Sequence, residues 1–385
     1  MDFSLTPEQK ALREEIIQFA RTELNEGARE RDRQQLFPRE LWDRCGAYQL
    51  QGLPVPKEYG GRGLDPLSTV LALEALGYGC TDGGLLMAIS AHLLACVVPV
   101  WKHGNKDQQE NLLPRLCRGE LIMVNAMSEP DSGSDAFAME ATAEQDSSGY
   151  FTINGHKTFG SNAPVADLAL VYAVTDREKR FHGGITAFLV RRDTPGFQVS
   201  DSFNKMGLRT CLMGETRLEN VRVGPCAVLG SVGGGVQVFT QSMEWERICL
   251  VACHIGAMER LLEVAIKQAR TRKASGKPIG SYQAISHKIA DMKVRLEAAR
   301  LLTYRAASRL DKVRNVAIDA SMAKLYTSES LIQTALEVVQ IFGARGILEE
   351  NDIERTLRDS IGSTIYSGTS EIQRNIIARW LGLPR

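Results

Sequence analysis

The sequence predicts a mainly α-helical protein with a small β domain at its centre. Apolar residues recur at helical spacing through the first 120 residues. Between 121 and 235 the pattern shortens to strand-length runs separated by turn residues, and from 236 long helical periodicity returns. At 385 residues the chain exceeds one ordinary core, so three domains are expected: a helical 1–120, a β domain 121–235 and a helical bundle 236–385.

Taken in order, Thr6-Pro7-Glu8-Gln9 starts a helix, with Thr6 as N-cap, Pro7 at the first helical position and Gln9 three residues on. Two prolines and three glycines make 53–63 a loop, and long apolar helices are expected from Pro66 to Val98 and from Gln108 to Leu116. In the middle domain Asn154-Gly155 reads as the turn of a hairpin between strands at 149–153 and 156–159. Further strands are expected at Leu168–Val174, Gly184–Val190, Gln198–Asp201 and Glu215–Val223, which suggests a small antiparallel barrel or sandwich. Gly230 to Gly235 is glycine-rich and precedes a helix, yet no βαβ pattern surrounds it. It therefore reads as a linker and not as a dinucleotide fingerprint. Helices are then expected over Gln237–Ala274, Tyr282–Leu310, Val316–Phe342 and Ser370–Trp380. The last opens on a Ser370/Gln373 capping box after a turn at Tyr366-Ser367-Gly368-Thr369.

Composition excludes several classes. Lys plus Arg equals Asp plus Glu at 46 each, so no net field favours nucleic acid or an anionic membrane. Eight scattered cysteines without a C-x-x-C pair predict reduced, mostly buried thiols, no metal site and a cytoplasmic protein. The charged start at Met1-Asp2-Phe3-Ser4 lacks signal-peptide features, and no apolar run is expected to reach membrane-spanning length.

Four segments carry chemistry. Met127-Ser128-Glu129-Pro130 with Ser132-Gly133-Ser134-Asp135 offers backbone N–H groups and hydroxyls in a turn, equipment for holding phosphates or ring carbonyls. Asn154-Gly155-His156-Lys157-Thr158-Phe159-Gly160-Ser161-Asn162 sets an aromatic and a hydroxyl at alternate strand positions. Arg270 to Ile279, with Arg272, and then Gln283 form a basic stretch after a long helix. Gln340-Ile341-Phe342-Gly343-Ala344-Arg345-Gly346 is a helix end where backbone can approach a ligand closely.

In this order these segments, with the Tyr366–Thr369 turn, resemble the acyl-CoA dehydrogenase family over most of the chain. The resemblance implies an N-terminal helical domain, a middle β-barrel or sandwich and a C-terminal four-helix bundle. It also implies a homotetramer and an FAD held across subunits. On it, Met127 and Ser128 meet the flavin edge, Ser134 meets the pyrophosphate, Phe159 packs on the ring and Ser161 faces the ring nitrogen that receives hydride. Arg272, Gln283, Gln340 and Gly343 reach the FAD of a neighbouring subunit, and Thr369 and Glu371 complete the cofactor set. Ser275 stands where the family has Phe.

The family turn reads Tyr-Glu-Gly-Thr, its Glu being the base beside the thioester; here that position is Ser367, which keeps an N–H for the thioester oxygen. A replacement base is expected at Glu246, directly before Arg247, as in the isovaleryl-CoA and long-chain branches. It shares a helix face with Cys249, Leu250 and Cys253, where burial raises a carboxyl pKa toward neutrality. Glu244 is the weaker candidate, and Arg247, Glu244, Tyr366 and Gly368 are expected around the substrate. The implied reaction is α,β-dehydrogenation of a short, branched or cyclic acyl thioester, with electrons passed to electron-transfer flavoprotein or oxygen. Cys211 and Met213 replace the family's hydroxyl residues, so coenzyme A contacts do not carry over directly. An alternative is an acyl or aminoacyl group, such as prolyl, on the phosphopantetheine of a carrier protein. An alternative of another class is a flavin monooxygenase or non-catalytic flavoprotein.

Overall fold

The computed structural model describes residues 4–313 and 315–384; the start at Met1-Asp2-Phe3 lies outside the described residues. The N-terminal part is helical: α1 (Pro7–Glu23), α2 (Ala28–Gln34), α3 (Arg39–Ala47), α4 (Pro66–Gly79), α5 (Gly83–His92), α6 (Val98–His103) and α7 (Lys106–Cys117). The Thr6/Gln9 capping box forms as expected, and α7 has a second one on Asn105/Gln108. A π-helical turn, Leu93–Val97, joins α5 to α6, so Gly83–His103 runs as one apolar helix of 21 residues. Contrary to expectation it is long and apolar enough to cross a membrane. However, 89% of its most apolar window is buried inside the fold, as suits a core helix surrounded by others.

The middle part is a mixed sheet: β1 (Met123–Ala126), β2 (Thr142–Gln145), β3 (Phe151–Ser161), β4 (Leu168–Val174), β5 (Ile185–Arg191), β6 (Phe197–Val199), β7 (Met213–Val223) and β8 (Val228–Leu229). Its order is β6-β7-β3-β2-β4-β5-β8, with β1 beside β4. Most pairs are antiparallel, but β1 runs parallel to β4, as does the first residue of β2. Phe151, Ile153, Val171, Phe188 and Val221 fill its core.

Asn154-Gly155 is not the hairpin turn the dipeptide suggested. Both residues lie inside β3, where the pairing with β7 shifts register between Ile153 and Gly155. The Asn154 side chain accepts the Asn220 N–H, and a Cβ on Gly155 would stand 2.4 Å from that of Ala141. An eleven-residue partner strand overrides the local turn signal. The turn between β2 and β3 is instead built by Asp146, whose carboxylate accepts the N–H groups of Ser148 and Tyr150.

The C-terminal bundle comprises α8 (Gly235–Thr271), α9 (Gln283–Arg309), α10 (Ala317–Phe342), α11 (Ile353–Ile361) and α12 (Ser370–Trp380); α8, α9 and α10 pack on one another and α12 lies on α10. The α11 helix was not anticipated. As expected, Gly230–Gly234 links sheet to bundle, and the Gly233 N–H donates to Thr186.

Two glycines let α4 and α8 touch backbone to backbone. A Cβ on Gly77 would stand 2.1 Å from the Cys253 carbonyl oxygen, and one on Gly256 would stand 2.1 Å from that of Glu74. Beside this crossing the buried Glu74 accepts from Arg300 (2.8 Å) and from the Tyr304 hydroxyl (2.8 Å). This paired charge ties α9 to α4.

Candidate active site

The turn before α12 reverses the chain through two consecutive left-handed residues, Ser367 (φ 57°) and Gly368 (φ 88°). The expected capping box moves by one residue. Thr369 is the N-cap, accepting the Ile372 N–H, and Ser370 is already helical. Gln373 does not reach back to a cap N–H; its amide donates to the carbonyls of Ser367 (3.1 Å) and Gly368 (2.8 Å). Two cations bind the same carbonyls: Arg247 Nε donates to Ser367 O at 3.0 Å and the buried Lys324 Nζ to Gly368 O at 2.8 Å. Turn carbonyls that would otherwise be orphaned are thereby satisfied. Among the described residues the Ser367 N–H has no internal partner.

Glu246 is brought to this turn by α8. Its Oε1 accepts the Ser367 hydroxyl at 2.5 Å, while Oε2 is buried without any partner. Burial pushes its pKa up, opposed by the Ser367 hydrogen bond and the nearby Arg247 and Lys324 charges. Arg247 is spent on the Ser367 carbonyl and makes no ion pair with Glu246 among the described residues, as expected from the angle between adjacent helical positions. Burial pushes Lys324 down to about 8. Glu244 is half-buried and lines a separate polar pocket with Lys102, His103, Trp245 and Asp311. The structure thus brings Glu246, not Glu244, into hydrogen-bonding contact with the turn.

Further along the same face of α8, His254 Nε2 lies 2.8 Å from the Tyr366 hydroxyl, and burial pushes the imidazole down to about 3, keeping it neutral. Both residues line a cavity of about 60 Å³ whose wall includes Leu250 and Cys253. The 205–211 segment helps close it: Leu208 N–H donates to Asp359 on α11 at 2.5 Å, and Gly207 leaves no room for a Cβ against the Arg358 carbonyl.

The β domain carries the second half. Met127 is buried, and its carbonyl accepts Lys157 Nζ; the Ser128 carbonyl accepts the Thr158 N–H. Between them lies a buried ion pair, Lys157 Nζ to Glu129 Oε1 at 2.7 Å. Burial alone would raise Glu129, but Lys157 and the N–H groups of Glu140 and Ala141 outweigh it and hold the carboxylate ionised. Phe159 has φ 57° and is 61% exposed, touching Phe203 at a ring separation of 5.8 Å. Ser161 is half-buried at the end of β3, and the next residue, Asn162, donates to the Ala88 carbonyl, fixing the strand end on α5. Ser134 is exposed in its loop and Glu371 is exposed on the first turn of α12.

Arg272, Gln283, Gln340 and Gly343 are all exposed on the ends of α8, α9 and α10, and among the described residues the side chains of Arg272, Gln283 and Gln340 make no hydrogen bond within the chain. Gly343 has φ 58° with nothing within 4 Å of an added Cβ. An uncovered aromatic ring held in a left-handed conformation, beside hydroxyls and turn N–H groups, fits a planar ring system with a phosphate tail. Sequence reasoning missed Lys324, Gln373 and His254. Only His254 left a signal, a polar residue on the apolar face of α8 two turns beyond Glu246.

All eight cysteines are free thiols, seven of them buried. Comparison with known proteins gives a consistent picture. The family models for the acyl-CoA dehydrogenase N-terminal, middle and C-terminal domains match residues 6–120, 125–221 and 233–382. An L-prolyl-[peptidyl-carrier protein] dehydrogenase of Pseudomonas fluorescens is 44% identical over 100% of both chains. Among solved structures, the prolyl acyl carrier protein oxidase AnaB superimposes with a TM-score of 0.96 at 42% identity, covering 99% of this chain and 100% of its own. PigA with FAD and proline does so with a TM-score of 0.97 at 39% identity, covering 100% of both.

Proposed function

Since the chain belongs to the acyl-CoA dehydrogenase family, matched in all three domains and by relatives along its whole length, we propose that it dehydrogenates a prolyl or similar cyclic aminoacyl thioester on the phosphopantetheine arm of a carrier protein. It is an oxidoreductase acting on CH–CH bonds and uses FAD. The relatives support the carrier-bound substrate over the short acyl-CoA that the motifs suggested first.

The observation that carries the chemistry is the Glu246–Ser367 contact. One carboxylate oxygen is tied to the hydroxyl, and the other is buried with no partner, so it is free to take the proton beside the thioester carbonyl. Its raised pKa suits that task near neutrality. The Ser367 N–H, without an internal partner among the described residues, would hold the thioester oxygen, and the Arg247 and Lys324 charges on the turn carbonyls favour the negative charge that develops there. Met127, Ser128, Ser134, Phe159, Ser161, Thr369 and Glu371 would hold the cofactor on one subunit, and Arg272, Gln283, Gln340 and Gly343 on its neighbour. FAD, when bound, supplies the acceptor for the hydride leaving the β carbon. The bound cofactor would return its electrons to oxygen or an electron-transfer flavoprotein.

The reading is tested by anaerobic flavin bleaching with a prolyl-loaded carrier protein. Glu246→Gln is expected to slow bleaching by about 10²–10⁴-fold, with Glu244→Gln close to wild type. Equal rates for Glu246→Gln and wild type would sink the base assignment. Indifference to every thioester, loaded carrier or coenzyme A, would favour the monooxygenase or non-catalytic alternative.

A further inference from the structure

Resting on the functional reading above, we propose that His254 and Tyr366 together set the acyl specificity. The pair closes the pocket behind a five-membered ring and offers a neutral hydrogen-bonding partner to the ring nitrogen. His254 lies two helical turns beyond Glu246 on the α8 face shared with Leu250 and Cys253, so the acyl group of a substrate whose α carbon meets Glu246 points toward it. Its Nε2 lies 2.8 Å from the Tyr366 hydroxyl, which fixes that ring immediately before the Ser367 turn.

The cavity of about 60 Å³ bounded by the two residues holds on the order of four to six small groups, the size of a pyrrolidine ring and short for an extended chain. A tyrosine hydroxyl has one donor and two acceptor sites. His254 uses one, and among the described residues Tyr366 makes no other side-chain hydrogen bond. On the cavity wall Arg260 donates to the carbonyls of Tyr78 and Cys80, and one oxygen of Asp359 accepts the Leu208 N–H. Burial keeps the imidazole uncharged, so the pair does not repel an amine.

The test uses FAD-loaded enzyme and three thioesters on the carrier arm: prolyl, cyclopentanecarbonyl and octanoyl, with desaturated product read by mass spectrometry. Wild type is expected to favour prolyl over cyclopentanecarbonyl by about tenfold or more in kcat/KM, because a site built to hydrogen-bond a substrate N–H discriminates against the analogue lacking it. It is also expected to reject octanoyl. His254→Ala should bring the ratio close to one and admit octanoyl, and His254→Gln should recover most of the preference. If His254→Ala folds poorly, Tyr366→Phe reads the same ratio. An unchanged ratio and an unchanged chain-length limit in variants that retain FAD would overturn the inference while leaving the function intact. A wild type that turns over straight-chain acyl-CoA and no prolyl thioester overturns the functional reading and the amine contact. The octanoyl arm of His254→Ala then decides the pocket-closing role alone.

Discussion

Ser367 stands where the family turn carries its Glu, and its hydroxyl donates to Glu246, the base proposed above. Its hydrogen bond stabilises ionised Glu246, so removing it raises the Glu246 pKa further above the ordinary carboxylate value. Ser367→Ala should therefore shift the acid limb of the kcat/KM–pH profile upward by about one unit; a profile that stays put means the hydroxyl does not tune the base. Glu246 also carries a stability cost. With its folded pKa above the unfolded one, the folded state holds the proton more tightly. The group's favourable contribution is then complete below the unfolded carboxylate range and is lost as pH rises through the folded value. Glu246→Gln should accordingly melt higher than wild type at pH 8, by about 1–3 °C, with the gap closing as pH falls toward 4.5. Calorimetry across that window decides it. Glu246 was legible in the sequence because an apolar helix face with one carboxylate on it is a strong pattern. Lys324 was not, because its task, holding the Gly368 carbonyl from another helix, exists only once α10 and the turn are packed together.

At the scale of elements, position in the fold repeatedly outweighed local signals. Asn154-Gly155 has the best two-residue hairpin signature in the chain, yet it lies inside β3 because β7 pairs with β3 on both sides of it, the mismatch being absorbed by a register shift. Ser370 and Gln373 have the spacing of a capping box, yet Gln373 is drawn to the exposed carbonyls of the left-handed turn. Helix starts at Thr6 and strands β4 to β7 were readable because nothing non-local competes with them. The ion pair between Glu129 and Lys157 shows the other side: two charged residues 28 positions apart are buried together to lock the loop after β1 onto β3. Lys157→Met leaves Glu129 buried without its cation and should cost about 3–5 kcal/mol, with FAD content falling as the Met127–Ser128 loop loosens. Adding Glu129→Gln should recover part of that stability. A denaturant midpoint unaffected by Lys157→Met would show that the pair is incidental to the loop.

For the whole molecule the sequence carried the helical, β, helical order and the family motifs, but one chain cannot show what completes a site on its surface. Arg272, Gln283, Gln340 and Gly343, proposed above to hold a neighbour's cofactor, all face outward. On the same helices α9 and α10 present exposed apolar side chains, Val294, Leu301 and Leu336, and Ile347 just beyond α10 is 68% exposed. With equal numbers of acidic and basic residues the chain has little net repulsion between copies. Exposed apolar side chains and outward-facing residues proposed to hold a cofactor are explained together if neighbouring subunits cover the first and share the second. The holoenzyme should then have a mass four times the chain's 42.5 kDa by light scattering. Arg272→Ala should keep that mass while weakening FAD binding by about tenfold, the loss of a charge-assisted bond to a phosphate. Ile347→Asp should instead lower mass and FAD content together, because a charge in the covered surface breaks the assembly that builds the site. A monomer that retains stoichiometric FAD would refute the shared site, and the four outward-facing residues would then have no role in holding the cofactor.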